Sequence, residues 1–119
     1  MCARIVVRSG NRKPGDRIPV KSREKSGRAK WVGFARSETA QAVWGETFNV
    51  ELDIPAGRFA ENNRNTGRLV WDNVPNGHVI SGVGNRRSGE VRILTREANA
   101  AEQTQYGHHR LPVIIPRRF

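Results

Sequence analysis

Between Thr47 and Ile54, polar and apolar residues alternate without a break: Phe48, Val50, Leu52 and Ile54 share one parity, and Thr47, Asn49, Glu51 and Asp53 share the other. Successive side chains of an extended chain point to opposite faces, so this period of two describes a strand with a buried face and a solvated, acidic one. A helix would not sort these residues so. Other short runs behave alike. Ala3 to Arg8 puts Ala3, Ile5 and Val7 on one face, and Lys30 to Arg36 puts Val32 and Phe34 opposite Trp31, Gly33 and Ala35. Arg68 to Asp72, His78 to Val83 and Glu90 to Arg96 read as a β-meander, with Pro75-Asn76-Gly77 as its first hairpin turn and Gly84 to Gly89 as its second.

Turn chemistry separates these runs, at Ser9 to Asp16, Pro55 to Gly57 and Glu61 to Gly67. Arg17 to Val20 reads as a short edge strand, because Pro19 has no backbone donor. Leu111 to Ile115 is a last apolar strand between prolines. Two short helices are expected. One is capped by Ser37, runs through Ala40, Ala42 and Trp44, and ends at Gly45; the other opens on an Asn99/Glu102 capping box and ends at Gly107. The fold expectation for residues 1–119 is a single mainly β domain. It takes the form of a small barrel or strongly curved antiparallel sheet, OB-like or SH3-like in kind, with two short helices.

Charge narrows the function. The formal net charge is +10, and arginine supplies seventeen of the 21 cations. Residues 1–36 carry eleven Lys and Arg against Asp16 and Glu24, residues 37–83 are net acidic, and residues 84–119 are basic again. Exposed basic loops are expected at 9–16 and 21–30. Arginine's planar fork suits bidentate phosphate contacts, so a polyanion is the expected partner.

Two constellations carry that expectation. Arg23, Lys25, Arg28 and Lys30 run into Trp31, whose parity opposite Val32 and Phe34 makes it a stacking candidate for an unpaired base. Arg86 and Arg87 sit at a turn tip, followed by Arg92 and Arg96 on the outer parity of the next strand. If both serve one ligand, residues 21–31 and 86–96 must share one face. Trp44 and Trp71 are assigned to packing. The leading reading is a non-enzymatic protein that binds RNA or single-stranded DNA.

Two other classes stay open. A small ribonuclease or toxin-like domain would use His108 or His109 as general acid or base, with Glu102, Glu90 or Glu97 as partner, and His78 is a further histidine. A viral or mobile-element assembly protein would pack its basic arm against nucleic acid or an acidic protein, or form a homo-oligomer with Leu111 to Ile115 as the exchanged strand. Neighbouring histidines on regular backbone point apart, which disfavours a shared metal, and no metal or other cofactor is expected. Cys2 is the sole cysteine, so neither a disulfide framework nor a cysteine zinc site can form. Gly82-Val83-Gly84 lacks the strand–loop–helix setting and the Lys-Ser/Thr pair of a phosphate loop. No run approaches the roughly 20 apolar residues of a membrane span, and the N-terminus lacks a signal peptide's apolar stretch. The expected location is cytoplasmic.

Overall fold

The computed structural model describes residues 2–119. Its strands are β1 (Cys2–Val7), β2 (Gly10–Arg12), β3 (Arg17–Lys21), β4 (Ser26–Arg36), β5 (Val50–Ile54), β6 (Arg58–Asn62), β7 (Leu69–Asn73), β8 (His78–Asn85), β9 (Glu90–Glu97), β10 (Arg110–Pro112) and β11 (Ile114–Pro116). The helices are α1 (Ala40–Trp44) and α2 (Ala100–Tyr106). Strands β9, β4, β3, β5 and β8 pair in that order, and β8 pairs back onto β9, which closes a five-stranded barrel. All its pairings are antiparallel except β4 with β9. Closure removes the exposed sheet edges that an open sheet would leave.

A second sheet, in the order β2-β1-β6-β7, lies against the barrel. Ile5 and Val7 of β1 and Phe59 of β6 join Trp31, Ile18, Ile54, Ile80, Val91 and Ile93 in one apolar cluster. Tyr106 at the end of α2 belongs to the same cluster, and its hydroxyl donates to Asp72 of β7. The small closed barrel with two short helices agrees with the sequence expectation; the second sheet and the parallel pair are additions to it.

Several local expectations are corrected. β3 is no edge strand: it lies between β4 and β5, but it meets β5 only through Lys21 and Asp53, so the donor missing at Pro19 falls on a sparsely bonded seam. The stretch 21–30 is mostly hairpin, with only Ser22 to Lys25 as its tip, because Pro19, Val20 and Lys21 pair with Arg28, Gly27 and Ser26. The stretch 9–16 contains β2. β7 and β8 do not form a hairpin; Pro75-Asn76-Gly77 carries the chain from the second sheet into the barrel, and the hairpin partner of β7 is β6. Helix α1 begins after Thr39 rather than Ser37 and has no side-chain cap, whereas α2 has the full Asn99/Glu102 capping box and a left-handed Gly107.

Leu111 to Ile115 is split into β10 on β9 and β11 on β8, with the Val113 N–H donating to Leu94 and its carbonyl accepting from Ser81. The segment thus covers the seam of the barrel. Gly82 and Gly84 of β8 are packing devices. A Cβ there would sit 2.9 Å from the Ile54 Cδ1 and 2.5 Å from the Leu52 Cδ1, respectively. Only glycine lets the core side chains of β5 approach this strand so closely.

Candidate nucleic-acid interface

The two basic tips, more than fifty residues apart in sequence, meet at one end of the parallel β4–β9 pair. The β3–β4 tip is held by the Ser22 N–H donating to the Lys25 carbonyl (2.8 Å), with the Ser22 hydroxyl oxygen accepting from the Glu24 and Lys25 amides. The β8–β9 tip is an Asx turn: Asn85 Oδ1 accepts from the Arg87 and Ser88 amides at 2.8 and 3.1 Å, and left-handed Gly89 returns the chain. The Lys30 N–H then donates to the Gly89 carbonyl at 2.9 Å, and Lys30 registers with Glu90.

A groove of about 190 Å³ lies between the tips, with Lys25, Arg28 and Arg86 among its walls. Lys25, Arg28 and Arg86 are exposed there, and Arg23, Lys30 and Arg87 are exposed on the same two segments. Glu24 and Glu90 also line it, and Arg86 reaches Glu24 at 3.1 Å. Both partners of that pair are about two-thirds exposed, so it contributes little and yields readily to a phosphate.

The other three candidates are elsewhere engaged. Trp31 is fully buried, its indole N–H donating to the Gly33 carbonyl at 3.2 Å and its ring meeting Phe34 edge-on at 5.8 Å. No base can stack on it. The parity argument fails because the β4–β9 register shifts between Trp31 and Gly33, a bulge that leaves Val32 without a partner and turns Trp31 inward beside Val91. Gly33 stands there at φ 148°, and the Arg92 guanidinium lies about 3.0 Å from where its Cβ would be. That guanidinium stacks 3.7 Å over Trp44 and 5.0 Å over Phe48 and donates to the Phe34 carbonyl, so it secures α1 against β9. Arg96 is bound in bidentate fashion by Glu102 at 2.8 and 2.7 Å. Trp71 is half-buried under the Arg58 guanidinium, 4.9 Å from its ring.

Glu102 is equally committed. Hydrogen bonds from Arg96 first, and from the Asn99 amide second, hold its carboxyl down at about 2, so it is no proton acceptor near neutrality. His108 and His109 do not point apart. The irregular backbone after Gly107 stacks their rings at 5.0 Å and 8°, and His108 Nδ1 accepts from the Arg110 amide at 3.0 Å. Both rings line a second cleft, with no acidic side chain among its described wall residues. His78 lies apart, its Nδ1 within 3.1 Å of the Asn76 carbonyl. Among the described residues, no three His, Cys, Asp or Glu side chains gather as a metal site, and no helix is long and apolar enough to cross a membrane.

Burial, and then, among the described residues, the nearby Arg64 and His109, lower the His108 pKa to about 4. With the folded value below the ordinary 6.5, the unfolded chain takes up the proton first. The stability His108 contributes is therefore complete above about pH 6.5 and is lost as pH falls toward 4. Glu61, which burial pushes up to about 7, works in the opposite sense: its contribution is lost as pH rises from 4.5 to 7. Comparison with a variant isolates the histidine. His108→Gln should remove about 2–3 kcal/mol of the pH dependence between pH 7 and 4 in urea titrations; parallel curves for the two proteins would refute the assignment.

Sequence reasoning missed Arg110 and Asp53. Arg110 is buried and grips Glu38 at 2.6 and 3.0 Å and the Thr95 carbonyl at 2.7 Å. Hydrogen bonds from Arg110, then from Ser37, hold the Glu38 carboxyl down at about 2. Asp53, assigned to the wet face of β5, is 1% exposed because the C-terminal segment covers it. The Arg118 Nε and the amides of Arg118 and Phe119 all donate to its carboxylate. Arg118 is thus an anchor for the C-terminal segment. No protein-family model matches this chain, and no curated protein or solved structure matches it at a significant level.

Proposed function

We propose that this protein binds RNA or single-stranded DNA, without cleaving it, across the groove between the β3–β4 and β8–β9 tips. One observation supports the reading above the rest: three exposed cations from two distant segments, Lys25, Arg28 and Arg86, line one groove against two carboxylates, one already paired, and Arg23, Lys30 and Arg87 are exposed on the same two segments. With Trp31 in the core and no aromatic side chain among the groove's described wall residues, affinity rests on phosphate contacts. Binding is then tolerant of sequence and strongly weakened by salt. A cytoplasmic setting, where nucleic acid is abundant, fits this reading.

The test is to neutralise each tip separately and titrate fluorescent RNA and DNA oligonucleotides at low salt. Arg23→Gln/Lys25→Gln/Arg28→Gln and Arg86→Gln/Arg87→Gln should each weaken binding by about tenfold or more, since each side supplies phosphate contacts to one strand. Every substituted residue is exposed, so folding should be untouched. If only one tip mattered, the groove would not be the binding unit; if neither did, the proposal would fail.

A further inference from the structure

The second cleft has a chemistry of its own. It lies at the far end of the same parallel strand pair, where β4 finishes at Arg36 and β9 reaches Thr95, roughly 25 Å along β4 from Arg28. Its volume is about 440 Å³, within the range of roughly 300–1,000 Å³ usual for sites that enclose a small ligand. Arg36, Arg64 and Arg110 line it together with His108, His109 and Thr39, and none of its described wall residues is acidic.

The three arginines do different things. Arg110 is fixed in the wall, its guanidinium committed to Glu38 and Thr95. Arg36 and Arg64 are exposed and make no ion pair with any described residue. They come from unrelated parts of the chain, one from the end of β4 and the other from the loop after β6. At the lip, Val43 of α1 is 63% exposed, an apolar surface beside the cationic one.

We propose that this cleft is a second anion site that takes a phosphate monoester, with Arg36 and Arg64 closing on its terminal oxygens and His109 completing the set. A monoester fits better than the diester of a continuous strand. It carries nearly two charges and three terminal oxygens, enough acceptors for two guanidinium forks and an imidazolium at once. The apolar lip beside the charged wall suits a ligand that is more than bare phosphate, namely a mononucleotide or the phosphorylated end of a chain.

The electrostatics of His109 agree. Among the described residues, the charged and titratable groups acting on it are Arg64, Arg36, Arg110 and the neighbouring His108. Its pKa is lowered, first by loss of water and then, among the described residues, by Arg64, Arg36 and Arg110, so these cationic fields converge on one ring. A bound dianion would reverse that field and raise the pKa again. Binding should therefore recruit a proton to His109.

The site does not depend on the groove, and the experiment keeps the two apart. Adenosine 5′-monophosphate is titrated into the protein while the His108 and His109 ring resonances are followed by NMR, with adenosine as the uncharged control. The proposal expects saturable shifts with an upward move of the His109 pKa, no such change with adenosine, and about tenfold or greater loss of affinity in Arg36→Gln/Arg64→Gln. The groove variant Arg23→Gln/Lys25→Gln/Arg28→Gln should bind the mononucleotide as wild type does; a parallel loss there would place the binding in the groove and overturn the inference. Absence of saturable histidine shifts, or unaltered affinity in Arg36→Gln/Arg64→Gln, would also overturn it. Oligonucleotides with a 5′-phosphate or a 5′-hydroxyl identify the source of the phosphate. A preference for the phosphorylated end that disappears in Arg36→Gln/Arg64→Gln assigns the cleft to chain ends, and equal binding of both assigns it to free mononucleotides.

Discussion

Trp31→Ala should destabilise the protein by about 3–5 kcal/mol, a large part of the roughly 5–15 kcal/mol that holds a domain of this size together. Trp31 is the largest fully buried side chain, and its neighbours come from different strands: Val91 beside it in register, Phe34 edge-on at 5.8 Å. Truncation leaves a cavity that a closed barrel cannot easily collapse, because each strand is tied on both sides. Its backbone is tied as well, with the Gly15 amide donating to the Trp31 carbonyl at 2.7 Å and the Trp31 amide donating to Asp16 at 2.9 Å. Urea unfolding monitored by circular dichroism measures the loss. Trp31→Phe separates packing from stacking. It keeps an aromatic ring in the core, so the protein should fold and bind oligonucleotides within about twofold of wild type. A selective collapse of binding in folded Trp31→Phe would return the indole to the interface.

The second large effect belongs to Asp53. Asp53→Ala should cost about 3 kcal/mol, the lower end of what breaking a buried ion pair costs, because Arg118 keeps 28% of its side chain in water. Three donors lose their acceptor at once, among them the Arg118 and Phe119 amides. Burial alone would push the Asp53 pKa up, but the hydrogen bonds and charge of Arg118, with the Phe119 amide, outweigh it and hold the carboxyl below its usual 3.8. A depressed folded value means that the contribution is complete above the unfolded pKa and is lost as pH falls through the folded one. Wild type should therefore lose stability at the acid end more steeply than Asp53→Asn, and tryptic cleavage after Arg117 or Arg118 should be faster in either variant. Equal acid sensitivity would mean that the carboxylate does not anchor the C-terminus.

Asp53 also marks where the sequence stops being informative. The alternation from Thr47 to Ile54 located a strand, yet its outer face is wet only if nothing crosses it. The residue that covers it, Arg118, lies 65 positions away, and no local pattern announces the contact. The bulge at Val32 is the same kind of failure on a smaller scale. One unpaired residue inverts the parity of the rest of the strand, and the burial of Trp31 is set by pairing with β9 rather than by composition. Features written in contiguous residues were legible: the α2 capping box, its Gly107 terminus, and the Asn85 to Gly89 turn that presents Arg86 and Arg87. The switch between sheets at Pro75 to Gly77 was not, since a hairpin turn and a sheet-to-sheet turn use the same residues.

The site divides along the same line. Charge counting marked both basic tips, because exposed cations in apolar-free stretches need no tertiary information. It did not separate Arg92 and Arg96 from the rest, since a guanidinium on Trp44 or on Glu102 looks in sequence like any other. It did not assemble the second cleft at all: Arg36, Arg64, His109 and Arg110 come from three separate stretches of chain that only the folded barrel brings together.

The salt dependence of single-stranded oligonucleotide binding, measured side by side for wild type and Arg23→Gln/Lys25→Gln/Arg28→Gln, bears most directly on the groove. If these three cations each neutralise a phosphate, the slope of log K against log salt should be shallower by about 2 in the variant, roughly 0.7 for each phosphate of a single strand left without its cation. Identical slopes and affinities in the two proteins, or no binding by wild type at low salt, would contradict the phosphate-binding groove and leave the net charge of +10 without a nucleic-acid role.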